Sequence, residues 1–185
     1  PRRTRLGAAQ EQWLDGAFAQ AGRGWTVVAQ QTIFGLRDLQ PGPGQLLSND
    51  GWDGYAPARQ RLVDGLRRHR VANPVFLGGD LHEHWVGHVL AEPARPDSAP
   101  VGVEFCGTSI TSKARKVERI PAVLAENPHF VFADALHRGY GVVEFTPGRL
   151  EATLRGLDDA TREDASLLTL ARFAVEAGRP RLERA

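Results

Sequence analysis

Asn73-Pro74-Val75-Phe76-Leu77-Gly78-Gly79-Asp80-Leu81-His82-Glu83-His84-Trp85 opens as a short apolar strand and breaks at a glycine pair. It continues at once into a carboxylate and two imidazoles at alternate positions. If the chain stays extended here, residues at i, i+2 and i+4 share one side. Asp80, His82 and His84 then face one locus while Leu81 and Glu83 face away. Open α/β sheets place ligand chemistry beyond the carboxyl ends of their strands, which is where this triplet falls. An isolated Asp-x-His is compatible with a metal-binding strand end or with a polar loop of solvated histidines. The preceding strand and the Gly-Gly break favour the first. Glu83 reads as solvated.

Outward from this stretch, the sequence alternates helical and extended patterns. Gln10, Trp13, Leu14, Ala17 and Phe18 fall near one face of a helix over Leu6 to Ala21 that ends at the glycines 22 to 24. A strand follows, Trp25 to Gln31, and then a Gly-, Pro- and Asn-rich stretch from Gly35 to Gly54 that reads as a long ordered loop. Pro57 opens a helix to about Arg70, with Leu62, Val63 and Leu66 inward and Arg59, Arg61, Arg67 and Arg68 outward. Strands at Trp85 to Leu90 and Val101 to Cys106 pair across the Pro-rich connection between them. A helix lies between Lys113 and Glu126, interrupted near Pro121. Phe130 to Ala133, Tyr140 to Phe145 and Leu150 to Leu157 read as strands, the last two joined by the tight turn Thr146-Pro147-Gly148-Arg149. Leu167 to Glu176 is compatible with strand or helix, and the alternation of Leu167, Thr169, Ala171, Phe173 and Val175 favours a further strand. The organisation is that of one α/β layered domain over residues 1 to 185.

Composition narrows the function. A formal net charge of +1 over 185 residues argues against a specific, strongly electrostatic nucleic-acid binder. No apolar run is long enough to cross a bilayer, and no basic region followed by an apolar run opens the sequence. Arginine outnumbers lysine heavily, which suits bidentate oxyanion recognition and equally a GC-rich codon bias. Cys106 is the single cysteine, so no internal disulfide forms. At the end of an apolar strand it reads as a small buried hydrophobe. There is no methionine, even at the first position. The chain therefore reads as a piece of a longer polypeptide.

Six strings in register carry a family resemblance. They are Arg5-Leu6-Gly7 with Gln10 to Leu14; Trp25 through Ala29-Gln30-Gln31; and Asn49-Asp50-Gly51-Trp52-Asp53-Gly54-Tyr55. Then come Asn73-Pro74-Val75 through Gly79-Asp80-Leu81-His82, Glu104-Phe105 through Gly107-Thr108-Ser109-Ile110, and Asn127-Pro128-His129 with Arg138-Gly139-Tyr140. Together they resemble the carboxyl-terminal half of the alkaline phosphatase D (PhoD-like) family. The resemblance implies part of a calcineurin-like metallophosphoesterase fold: two facing mixed sheets flanked by helices in α/β/β/α layers, with a multinuclear metal centre at the sheet edges. It implies a phosphate-ester substrate, a secreted or periplasmic setting, and an Fe3+ and Ca2+ centre. Gly79-Asp80-Leu81-His82 resembles the superfold's last metal motif, Gly-His-x-His, with Asp80 in place of the first histidine. That exchange suits a harder cation. Asp80 and His82 are thus the metal ligands the resemblance assigns to this chain. Gln31 stands where related phosphatases carry a metal-binding histidine, so second-shell hydrogen bonding is its implied part.

The family's earlier metal motifs and its iron-binding cysteine would precede Pro1. The missing amino-terminal half of the same protein is therefore the implied partner, and exposed sheet faces imply self-association without it. Asp50, Asp53 and Tyr55 crowd a loop aimed at the same mouth, with Trp52 beside them. They read either as substrate or second-shell groups or as turn chemistry around a packed loop. His84 fits the spacing, but the resemblance needs only Asp80 and His82, which leaves His84 a surface or second-shell role. Thr108, Ser109, Thr111 and Ser112 offer hydroxyls to a phosphate or cap their own backbone. Arg138 reads as a surface arginine or as a counter-charge for phosphate. Activity by metal-activated water and a non-catalytic structural part of such an enzyme are the functions to separate; a small anion-binding module using arginines without metal would leave the Asp80–His82 motif unexplained, and no residue of this chain is assigned as nucleophile or base.

Overall fold

The computed structural model describes residues 3–112 and 117–185. Helices α1 (Ala8–Ala19), α2 (Ala56–Arg68) and α3 (Ile120–Glu126) accompany nine strands. These are β1 (Thr26–Ala29), β2 (Pro74–Gly78), β3 (His84–Leu90), β4 (Pro100–Cys106), β5 (Phe130–Asp134), β6 (Gly139–Phe145), β7 (Arg149–Leu157), β8 (Leu167–Glu176) and β9 (Glu183–Arg184). They form two sheets. The first is mixed, in the order β1-β2-β4-β3-β5, with β1, β2 and β4 parallel and β3 antiparallel to both of its neighbours. The second, β6-β7-β8-β9, is antiparallel throughout.

Alternation along the strands decides what each face buries. Val75, Val86, Val103 and Phe105 point from the first sheet onto Leu150, Ala152, Leu154, Phe173 and Val175 of the second. Opposite them on β7, Glu151 stays in solvent. The other face of the first sheet carries Phe76 and Val89 against Phe18 of α1 and Leu62, Val63 and Leu66 of α2. Trp85, Cys106 and Phe130 meet Val123 of α3 on the same side. Among the described residues the result is an α/β/β stack in which helices cover one sheet only. Each fully buried Leu, Val or Phe contributes about 1.5–3 kcal/mol, so the two interfaces of the first sheet dominate the stability. Among the described residues, no helix is long and apolar enough to cross a membrane.

Several expectations are corrected here. Trp13 is 68% exposed rather than packed, because α1 lays only Leu14 and Phe18 towards the sheet. Arg59, expected outward, is buried: its guanidinium pairs with Asp53 at 2.5 Å. Pro121 does not interrupt a helix but sits in the first turn of α3, where its missing N–H costs nothing. The expected helix start at 113 to 116 lies outside the described residues.

Two strands lack a neighbour on the same flank. β1 and β6 are edge strands of their sheets, and their ends are tied together. Trp25 Nε1 donates to the Thr146 carbonyl at 2.7 Å, and the Trp25 ring meets Phe145 edge-on at 5.8 Å. Val27 and Phe145 remain partly exposed beside that seam.

Candidate metal centre

The carboxyl ends of β2 and β4 and the start of β3 come together at one end of the first sheet. The connection of residues 79–83 leaves β2, passes the end of β4 and enters β3. Gly107 N donates to Gly78 O at 2.9 Å, and the Cys106 thiol donates to Gly79 O at 3.2 Å. A Cβ at Gly78 would lie 2.1 Å from the Thr32 carbonyl, whereas one at Gly79 would meet nothing nearer than 3.9 Å. Of the glycine pair, only the first is required sterically.

The connection is not extended, which corrects the simple alternation. Leu81 N bonds back to Gly79 O at 2.8 Å, and Asp80 between them has φ 69°. That combination is a γ-turn of the rare, strained, positive-φ kind. His82 follows with φ 60°. Holding two non-glycine residues there costs about 1–3 kcal/mol each, a cost that recurs at functional sites. Leu81 packs towards the Trp85 and Ile33 cluster, while Asp80 is exposed and His82 is half-buried. Leu81 therefore turns inward beside an exposed Asp80 through a twisted turn rather than a strand.

Glu83 and His84 depart from expectation. Glu83 is buried, not solvated: its Oε2 accepts Arg37 Nη1 at 2.8 Å and Trp85 Nε1 at 2.7 Å. His84 is wholly buried on β3, on the face turned to the second sheet, and neither ring nitrogen has a hydrogen-bond partner. Burial holds its pKa below the ordinary value; the Arg155 backbone, near but outside hydrogen-bonding geometry, pulls weakly the other way. It is therefore neither a surface histidine nor a member of the Asp80–His82 locus.

The remaining candidates are distributed around this end. Gln31 is exposed just past β1, with its carbonyl beside Gly79. Asp50 is exposed, and its carbonyl accepts the Arg5 guanidinium. Asp53 is consumed by structure: Oδ1 holds Arg59, and Oδ2 accepts the Arg37 amide at 3.2 Å. Tyr55 lies under the Arg3 guanidinium, 4.4 Å from the ring centroid. Thr108 donates to the His137 carbonyl at 3.1 Å and Ser109 to that of Ser112, so both hydroxyls serve local backbone. Cys106 is buried, and desolvation raises its thiol pKa.

Beside His82 runs a groove of about 340 Å³ that also touches Ser109, His137, Arg138 and Asp158. Asp134 accepts both the backbone N–H and Nδ1–H of His137, at 2.9 and 3.0 Å. The carboxylate thereby holds the His137 ring in place at the edge of the groove. Sequence reading missed this pair, although Asp134-x-x-His137 directly precedes the Arg138-Gly139 string. It also missed the buried Glu104. That carboxyl accepts the amides of Phe34 and Gly35, and burial pushes its pKa to about 7 against their opposing pull. Among the described residues, no group of three or more His, Cys, Asp or Glu is placed to hold a metal ion. Asp80 and His82 fit part of such a centre, an exposed carboxylate and a half-buried imidazole at one strained turn, and not the whole of it.

Comparison with known proteins identifies the family. The chain is 33% identical to alkaline phosphatase D of Bacillus subtilis over 179 residues, which is 95% of this chain and 30% of the relative. A solved structure of PhoD superposes with a TM-score of 0.92 at 33% identity, covering all of this chain and 36% of that one. The chain thus spans about a third of the length of the proteins it matches. The model of the PhoD-like phosphatases aligns with residues 1–154, and the chain belongs to that family.

Proposed function

We propose that this chain is part of a metal-dependent phosphoesterase, in which Asp80 and His82 supply ligands to the cations. The strained turn that carries these two side chains at the end of the mixed sheet is the observation that supports the reading. Their donor set suits a hard cation at the carboxylate and a transition metal at the imidazole, in keeping with the iron and calcium that the resemblance implies. When bound, such cations neutralise phosphoryl oxygens and lower the pKa of water enough for in-line attack on phosphorus.

The rest of the work falls to side chains. Asp80 and His82 orient the cations and move no proton. Arg138, lining the groove beside His82 and His137, supplies a counter-charge to phosphate. The substrate is a phosphomonoester or a phosphodiester. A secreted or periplasmic setting is the one that the family resemblance suggests.

A second reading concerns the chain in isolation, and the lack of a third ligand among the described residues favours it. The remaining donors then come from a partner of the relatives' extra length, seated along the open β1 and β6 flank. The isolated chain is non-catalytic on this reading.

The test compares the full-length gene product with the 185-residue chain. Full-length protein should bind metal and hydrolyse p-nitrophenyl phosphate or its diester, and His82→Ala should remove most turnover. The chain alone should be inactive with iron and calcium present. An unaffected His82→Ala, or robust metal-dependent hydrolysis by the chain alone, would overturn this assignment.

A further inference from the structure

We infer that Arg37 and Glu83 are positioning residues: with Trp85 they form a buried clamp that holds the Asp80–His82 turn in its strained shape before any cation arrives. The inference rests on the reading of Asp80 and His82 as ligands. A turn with two positive-φ residues, neither of them glycine, needs something outside it to keep it from relaxing. Its amino-terminal side is anchored by Gly78 and Gly79 to the end of β4. Its carboxyl-terminal side is anchored by Glu83.

The Glu83 carboxylate is 11% exposed and the Arg37 side chain 12%. A single carboxylate oxygen accepts both Arg37 Nη1 and Trp85 Nε1, and the guanidinium lies over the Trp85 ring, 5.2 Å from its centroid. Arg37 is itself fixed. Its amide donates to Asp53, which is bound to Arg59 of α2, and Arg59 also donates to the Phe34 carbonyl at 3.3 Å. A continuous set of short polar contacts therefore runs from α2 through the long loop to the residue next to His82. Asp53 belongs to this support rather than to the ligand set. Outer groups that fix ligand orientation typically alter metal affinity about 10–100-fold when removed.

The pair must be distinguished from one that only stabilises the fold. Removing one member leaves a buried unpaired charge and destabilises any protein, whereas replacing both with apolar residues largely restores stability. Arg37→Met/Glu83→Met in the full-length, metal-stripped protein is the informative variant, with Mn2+ as the probe and the electron paramagnetic resonance of free Mn2+ as the readout. Its thermal midpoint should lie above those of the single variants, lowered from wild type only by the acceptor that Trp85 Nε1 loses, while Mn2+ affinity falls about 10–100-fold. Without metal, amide exchange at Leu81 and His82 should quicken in the double variant. Wild-type affinity and exchange in the double variant would overturn the clamp, as would affinity losses that merely track thermal stability across the single and double variants. His82→Ala is the control: unchanged Mn2+ binding there overturns the ligand reading, and the exchange measurement still decides whether the clamp shapes the turn.

Discussion

Glu104→Gln asks whether a carboxyl buried in the middle of the mixed sheet is protonated near neutral pH. Burial pushes Glu104 from 4.5 up to about 7, opposed by the Gly35 and Phe34 amides. An acid with a raised folded pKa holds more protons folded than unfolded between the two values. Its contribution to stability is complete below about 4.5 and is lost as pH rises to about 7. At about 1.36 kcal/mol per unit, the loss is about 3 kcal/mol. His129 runs the other way: burial lowers its pKa from 6.5 to about 4, so its contribution is present above 6.5 and lost as pH falls towards 4. The two slopes oppose each other between about 4.5 and 6.5 in the unmodified protein.

Glu104→Gln removes one of these slopes and leaves the other. Its stability relative to the unmodified chain should shift by about 3 kcal/mol in its favour between about pH 4.5 and about pH 7.5. Urea unfolding of the dilute chain, followed by tryptophan fluorescence at several pH values, measures this difference. His84 and His88, also lowered by burial, add slopes common to both proteins and cancel from it. Difference infrared spectroscopy offers a direct check, because a protonated carboxyl band should titrate near pH 7 and vanish in the variant. Stability curves that run parallel at all pH values would refute the reasoning; they would mean that the two amides and nearby Arg59 keep Glu104 ionised throughout.

Three further outcomes follow from geometry. The isolated chain should self-associate through its open flank, read by light scattering on a sizing column; a monodisperse monomer would contradict the reading of β1 and β6 as unfinished edges. Gly78→Ala should cost about 1–3 kcal/mol or more, because its Cβ meets backbone, while Gly79→Ala should cost clearly less. Equal losses in denaturant titrations would show that the Thr32 carbonyl yields. Arg59→Met should destabilise by about 3–5 kcal/mol by stranding Asp53, and Asp53→Leu in the same chain should recover most of it. No recovery in the double variant would mean that Arg59 acts chiefly through packing.

What could be read from the sequence was mostly periodic. β7 and β8 were legible because their alternation is local, and the order of elements followed from turn residues between apolar runs. The spacing of Asp80, Leu81 and His82 suggested an extended strand end, whereas the geometry there is a turn. The errors share one cause: buried polar groups are defined by partners distant in sequence. Glu83 looks solvated until Arg37, 46 residues earlier, is brought beside it. Arg59 looks outward until Asp53 folds under it, and Glu104 carries no sign that its partners are the amides of Phe34 and Gly35. His84 follows its neighbours in spacing, yet strand β3 carries it between the sheets. Ligand number was legible only as a shortfall, through the family motifs that this chain lacks.

The order of strands in the mixed sheet sets the order in which its site can form. β2 and β3 are consecutive in the chain, but β4, synthesised later, lies between them. The β3–β4 antiparallel pair is joined by a short connection and can close early, whereas β2 has no partner on that side until the pair docks. The contacts from Cys106 and Gly107 to Gly79 and Gly78 are made only at that docking step. Until then residues 79–83 lack those two anchors. The turn therefore depends for part of its shape on a strand that follows it in the chain, and its final form waits on the docking of that strand against β2.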